Sequence, residues 1–478
     1  MHTELWQWSA VDLAHAIRSG TISSREALES CLSRLAAVNP ALNAVVDLID
    51  DDARSAADRA DAAVRAGETT GPLHGVPLTV KINVDYAGRA TTNGVKAFEN
   101  MIAQEDSVPV ANLRKAGAII FGRTNVPGFS TRYFTDNDLH GRTLNPWDPG
   151  RTPGGSSGGA AAAVAAGIGP IGHGNDRAGS VRYPAHCCGV YGLRASVGRV
   201  ADFNPSSVEE RGLMSQLTHI QGPLARSIGD IRLTLEALSQ GDPRDPWWVP
   251  ALADPGPVDR PKTAAIFATS PDADVHPDVE NAVRIAGKWL EQAGYAVEEV
   301  APPHLTEAGD MFWTMLMAEE RATSENEKSA STKGIEMFGD QAVQNARAST
   351  RVYAGDLDYE GYINGLRRRT SILRDWQLFF QRHSVLVMPV SWQPAFPIDH
   401  DQRGDEAMRR MLDSFHPMLA ISTLGLTGLA APTGPVNGIP MGVQIVGPRF
   451  GEELCLRAGE VLEANYAPMP IDPIADPR

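Results

Sequence analysis

Cysteine is scarce: four residues in 478, at positions 31, 187, 188 and 455. That is too few for a disulfide framework in a chain of this length, and the spacing fits no zinc motif. Neither Cys-x-x-Cys nor His-Glu-x-x-His occurs, so no metal ligand set is expected. The adjacent Cys187 and Cys188 read as two small buried side chains. Positive charge is also in deficit, with 43 Lys and Arg against 58 Asp and Glu, a net charge of −15. This argues against a large phosphate-binding surface while leaving room for a local basic pocket, and no nucleic-acid partner is expected. Long apolar runs are missing too. The longest weakly polar stretch, 158–172, is built of Ala and Gly and is too short to span a bilayer, so no membrane association is expected. Met1–Ser9 carries no basic segment followed by an apolar one, which makes the cytoplasm the expected compartment.

What remains is the balance of an ordinary globular enzyme, 42% hydrophobic and 21% charged. The first seventy residues read as helical. Ser9–Asp12 and Ser23–Glu26 are capping-box starts, and Asn39-Pro40 is expected to end the second helix. A short strand is expected at 43–47 and a helix over 51–66. From Leu73 short apolar runs alternate with helical segments. Residues 76–80, 118–121 and 385–389 read as buried strands, and 157–166 as an Ala-rich helix. The pattern predicts an α/β fold with a mixed, mostly buried sheet flanked by helices. The expected organisation is an N-terminal helical segment over 1–70 packed on a main domain over 71–470. Within that domain a helical excursion is expected at about 245–385, and 241–262 reads as a surface connection.

Glycine is concentrated where chemistry needs it. Gly154-Gly-Ser-Ser-Gly-Gly159 and Gly174-Asn-Asp-Arg-Ala-Gly-Ser180 place Ser156 and Ser180 in two glycine-rich loops 24 positions apart. Glycine beside a serine lets a ligand approach the backbone closely. A serine hydroxyl needs a base. Lys81, after the apolar run 76–80, is a candidate if burial keeps it neutral; taken alone, such a lysine is more often a surface or structural one. Successive N–H groups in the second loop are able to form an oxyanion-binding nest, each donor worth about 2.7–4 kcal/mol in a transition state. On its own that loop reads as an ordinary glycine turn. The first loop lacks the Lys-Ser/Thr ending of a nucleotide-binding loop.

Taken in order, these segments resemble the amidase signature family of serine hydrolases. Thr152–Gly159, the Ala-rich helix, Gly-x-Asp-x-x-Gly-Ser-x-Arg-x-Pro-Ala and Cys188–Leu193 look like its long diagnostic segment. Gly75–Lys81, Gly122–Pro127, Gly141–Trp147, Gln221–Pro223 and Gly438–Pro448 extend the likeness over residues 5–465. The resemblance implies a single α/β/α domain and a triad in which Ser180 is the nucleophile, Ser156 the bridging serine in a cis peptide, and Lys81 the base. It implies an oxyanion hole from the N–H groups of Arg177, Ala178, Gly179 and Ser180, with Asp176 and Arg182 holding the loop. Ser157 is similar to a neighbouring hydrogen-bonding serine, or serves as a helix N-cap. No cofactor is implied.

The chain departs from the family at Ala178-Gly179 where Gly-Gly is usual, at Lys81-Ile82-Asn83 where Lys-Asp is usual, and at Gly128 where an acidic residue usually follows the proline. Arg177 beside the nucleophile loop is also bulky and charged. Gly128, Phe129, Tyr133 and Trp313 are candidate substrate-binding residues, with Phe134, Met315 and Met317 as further candidates for an apolar wall; ordinary core packing is the alternative for each aromatic and methionine among them. The expected reaction is hydrolysis of a carboxylic amide through a serine acyl-enzyme, with a small-molecule amide as partner and a homodimer as a compatible assembly. The alternatives are the glutamine-hydrolysing subunit of a tRNA-dependent amidotransferase, and an inactive binding or scaffold protein of the same fold. Against the first stands Ala195–Asp202, where that subunit usually carries a Lys-Pro-Thr-Tyr-Gly-Arg type of run.

Overall fold

The computed structural model describes residues 4–68, 70–251, 262–321 and 330–473. One sheet runs through it. Its strands are β1 (Val45–Leu48), β2 (Pro77–Lys81), β3 (Ile119–Thr124), β4 (Ile171–Asp176), β5 (Tyr191–Arg194), β6 (Ile220–Ala225), β7 (Thr263–Ile266), β8 (Ala296–Glu299), β9 (Val385–Met388), β10 (Thr427–Val436) and β11 (Ile439–Gly447). They lie in the order β1-β3-β2-β4-β6-β5-β10-β11-β9-β7-β8. The sheet is mixed: β3-β2-β4 and β9-β7-β8 are parallel, and the centre is antiparallel.

Both faces are covered, giving an α/β/α sandwich. Alternation along β3 shows this directly: Ile120 belongs to one core, while Ile119 and Phe121 belong to the other. The helices Ala10–Arg18, Ile228–Leu238, Pro277–Gln292 and Glu452–Asn465 supply the first core. Ser24–Leu42, Gly158–Ala165, Arg182–Cys188 and Leu305–Arg321 supply the second. Every residue of Gly158–Ala165 is buried, and its run of alanines and glycines lets the helix lie close to the strands beneath it.

The second helix opens on a capping box, with Ser23 N–H donating to Glu26 and Glu26 N–H to Ser23 Oγ. It does not end at Asn39-Pro40 but continues to Leu42. Pro40 lacks the N–H that would bond the carbonyl four residues back, and only Ala41 and Leu42 follow it before the helix ends. The turn falls instead at left-handed Asn43, while Asn39 Oδ1 accepts from the N–H groups of Ala44 and Val45.

The strand expected at 43–47 is β1, and it joins the sheet antiparallel to β3. At the other margin β8 pairs only with β7 among the described residues, and it ends on Glu298 and Glu299, both exposed. The stretch 305–380 forms helices Leu305–Arg321, Ala330–Phe338, Gln341–Ala354 and Tyr359–Arg382; its residues 322–329, and 252–261 of the expected surface connection, lie outside the described residues. Among the described residues no helix is long and apolar enough to cross a membrane.

Candidate active site

Two neighbouring parallel strands, β2 and β4, end side by side, with Leu78 opposite Ile171 and Thr79 opposite Gly172. The C-terminal ends of such strands are where α/β sheets place their ligands. Here that register brings Lys81, the last residue of β2, against Asn175 near the end of β4. Lys81 Nζ donates to Asn175 Oδ1 at 2.7 Å and lies 2.7 Å from Ser156 Oγ. The lysine is fully buried. Burial pulls its pKa down, the charge of Asp176 works against this, and that of Arg177 reinforces it; the net result lies well below the ordinary lysine value.

A chain of amides runs outward from this contact. Asn175 Nδ2 donates to Asn83 Oδ1 at 3.0 Å, Asn83 Nδ2 to Ser130 Oγ at 3.2 Å, and Ser130 Oγ to Asn93 Oδ1 at 2.7 Å. Sequence reasoning assigned neither Asn175 nor Asn83 to the site. Both lay in view, one inside the second glycine loop and one as a departure two residues after the lysine.

Ser156 is buried and follows a cis Gly155–Ser156 peptide bond. Only glycine fits at 155, because a Cβ there would lie 2.4 Å from the Arg132 carbonyl oxygen. Ser157 occupies the N-cap position of Gly158–Ala165 but makes no side-chain cap; its hydroxyl reaches the Asn175 carbonyl at 3.4 Å. The Ser157 N–H donates to the Ser180 carbonyl at 3.2 Å and ties the two glycine loops together. Ser180 is partly exposed. Its hydroxyl is not hydrogen-bonded to that of Ser156, so the side-chain contact that is made joins Lys81 and Ser156 only.

The second glycine loop, 174–180, is braced by charge. Asp176 is buried between Arg182 and Arg194, with N···O distances of 3.1 and 3.3 Å. Burial alone would raise its pKa, but the two guanidinium charges outweigh that and hold it below the usual carboxylate range. Arg182 further bonds the Met418 carbonyl, Gln444 and Ser422.

Asp176 Oδ1 also accepts the Gly179 N–H at 2.8 Å. This corrects the expectation that Gly179 belongs to the oxyanion hole: its donor is already committed, and the N–H groups free of an acceptor among the described residues are those of Arg177, Ala178 and Ser180. Gly179 itself has φ +99°, and a Cβ there would lie 2.2 Å from Met418 Sδ.

The expected pocket residues divide. Tyr133 is buried, and its hydroxyl donates to the Ala178 carbonyl at 2.9 Å, fixing the peptide ahead of Gly179. Tyr133, Arg177, Trp313 and Met317 line a cavity of about 40 Å3 between the second glycine loop and the helix Leu305–Arg321. Gly128 and Phe129 are not part of it. Phe129 stands in a left-handed conformation with its ring edge-on to Phe98, at 5.5 Å between centroids. Phe134 and Met315 are core. All four cysteines are free and buried, and Cys188 Sγ donates to the Pro153 carbonyl at 3.4 Å, behind the first glycine loop. Among the described residues no group of three His, Cys, Asp or Glu side chains is placed to hold a metal ion.

The comparisons agree with what this arrangement can do. An indoleacetamide hydrolase from Bradyrhizobium diazoefficiens is 44% identical over 461 residues, covering 96% of this chain and 86% of that protein. A glutamyl-tRNA(Gln) amidotransferase subunit from Roseiflexus sp. (strain RS-1) is 33% identical over 486 residues, 96% of this chain and 97% of that protein. A bacterial aryl acylamidase of the amidase signature (AS) enzymes family shares the fold, with a TM-score of 0.81 at 24% identity and 97% of each chain covered. Fold and similarity define a hydrolase of amide C–N bonds. A family model described as Amidase matches residues 26–456, and the chain belongs to that family.

Proposed function

We propose that the protein hydrolyses a primary amide of a small carboxylic acid through an acyl-enzyme on Ser180, with Ser156 as proton relay and Lys81 as base. The observation that carries this is the buried Lys81, 2.7 Å from Ser156 and with no carboxylate among its hydrogen-bond partners. In its neutral form the amine donates to Asn175 and turns its lone pair to the Ser156 hydroxyl. Ser156 passes its proton to Lys81 as it takes one from Ser180, and Ser180 Oγ attacks the amide carbon. A side-chain rotation of the partly exposed Ser180 closes the gap to Ser156; such contacts often tighten only once substrate is bound. The free N–H groups of Arg177, Ala178 and Ser180 face the developing oxyanion. The relay returns the proton to departing ammonia, and water then cleaves the acyl-enzyme.

The relative named for indoleacetamide is closer in sequence than the amidotransferase relative, which favours a free amidase and makes indoleacetamide the first amide to assay. The compartment we infer is the cytoplasm, in keeping with four unpaired cysteines. A fluorophosphonate probe tests the nucleophile. Mass spectrometry is expected to find the adduct on Ser180, with none formed in a folded Ser180→Ala variant. An adduct on another residue overturns the assignment.

A further inference from the structure

The cavity beside the nucleophile loop has an excess of hydrogen-bond donors. Three arginines line it, Arg132, Arg177 and Arg347, with two carboxylates, Asp401 and Glu320. Both carboxylates are engaged by the other two arginines. Arg132 holds Asp401 through Nε at 2.8 Å and Nη2 at 2.9 Å, and Arg347 Nη2 bonds Glu320. Arg177 is left with the Ser215 hydroxyl, 3.1 Å from Nη1, and no carboxylate within ion-pair reach among the described residues. Three further donors on the lining residues are buried without an acceptor: Arg132 Nη1, Arg347 Nε and Trp313 Nε1. Trp313 is only 7% exposed, so bulk water does not meet its N–H freely. Arg177 itself is partly exposed, but the three N–H donors are buried, and a buried N–H left unpaired is costly; such groups in a cleft point to a ligand that completes them. Burial also lowers the pKa of Arg177; the charge of Glu320 works against this without overcoming it, and that of Arg347 reinforces it.

Size narrows the ligand. The cavity measures about 40 Å3, whereas a cavity that takes benzene measures about 150 Å3. It suits a small group rather than an aromatic ring. Arg177 stands three residues before Ser180 in the same loop, and Tyr133, which lines the cavity, bonds the Ala178 carbonyl of that loop; the cavity thus adjoins the segment that carries the reacting serine.

We propose that Arg177 is a substrate-binding residue which pairs with a carboxylate on the acyl part of the substrate, so that the preferred substrates are mono-amides of dicarboxylic acids. This rests on the acyl-enzyme reading above and names its substrate class. The carboxylate supplies the missing negative charge and acceptors for donors that no protein group satisfies, as planar guanidinium–carboxylate pairing requires. Because the leaving group of a primary amide is ammonia, the carboxylate lies on the acyl side. A neutral amide such as indoleacetamide brings no charge to this position.

The test is ammonia release by the purified full chain from malonamate, succinamate and glutaramate, each against the neutral alkyl amide of equal length. At least one carboxylate substrate is expected to exceed its neutral counterpart in kcat/KM by about tenfold to a hundredfold, the range of a charged hydrogen bond. Arg177→Met should bring that ratio to one or below, and Arg177→Lys should restore part of it. If every neutral amide is turned over as well as its carboxylate counterpart, or if the ratio survives in Arg177→Met, the inference is overturned while the acyl-enzyme stands. If no amide is turned over and Ser180 takes no probe, both fall. The wild-type ratios decide the matter alone should the variants fail to fold.

Discussion

Lys81 Nζ and Asn175 Oδ1 lie 2.7 Å apart at the ends of neighbouring parallel strands. An amide oxygen holds an amine in place without adding the negative charge that would favour its ammonium form. In the proposed mechanism Asn175 thus positions Lys81 without favouring its charged form.

Asn175→Asp should undo the second of these effects. A carboxylate at that distance raises a lysine pKa by about 1–3 units. The acid limb of the kcat/KM profile is expected to move upward by a similar amount, lowering activity at neutral pH. An acid limb that stays in place in a folded Asn175→Asp enzyme would remove Lys81 from the role of base.

Lys81→Met should lower kcat/KM for an amide by about a hundred- to ten-thousandfold, the usual worth of a positioned base. In the wild type the neutral amine is the active form, and burial sets its pKa well below the ordinary lysine value. Activity is therefore present above the folded-state pKa and lost as pH falls through it. Esters should suffer less from the substitution, because their leaving group needs less protonation.

Asp176→Asn strips the compensating charge from two buried arginines. Breaking a buried pair in this way costs about 3–5 kcal/mol, readable from urea unfolding at pH 7. The sign with pH follows from the depressed pKa of Asp176. Its stabilisation is present above the unfolded carboxylate value of about 3.9 and is lost as pH falls through the folded one. Wild type should lose stability over that acid range more steeply than Asp176→Asn, and equal slopes would count against the assignment.

Tyr133→Phe leaves the Ala178 carbonyl without its donor and frees the peptide that precedes Gly179. We expect kcat to fall by about tenfold to a hundredfold, equivalent to about 1–3 kcal/mol, with KM little changed. A matching rise in KM at constant kcat would show that Tyr133 binds substrate instead.

The two glycine loops were legible because their chemistry is local: close backbone approach needs glycine, and the serines stand between them. The apolar strands β2, β3 and β9 were legible for a similar reason, since their runs are bounded by polar or turn residues. Strand β4 was not. Its sequence, Ile-Gly-His-Gly-Asn-Asp, shows neither alternation nor β-branched enrichment, and only pairing with β2 and β6 makes it a strand. For the same reason the role of Asn175 was hidden: it depends on the register between β2 and β4, which no single segment encodes. Tyr133 was legible as an aromatic near the site, but the direction of its hydroxyl depends on a loop 45 positions away. The committed N–H of Gly179 likewise emerges only once Asp176 is seen folded back over the loop.

The open margin of the sheet bears on how copies of the protein meet. A second molecule extending the sheet past β8 would have to bring its own strand against the exposed side chains of Glu298 and Glu299, the second of which is paired with Arg284 at 2.9 Å. Charged residues at such a margin act as a guard against strand addition. Strand addition past β8 is therefore disfavoured, and replacing both glutamates with valine would turn a guarded margin into an adhesive one.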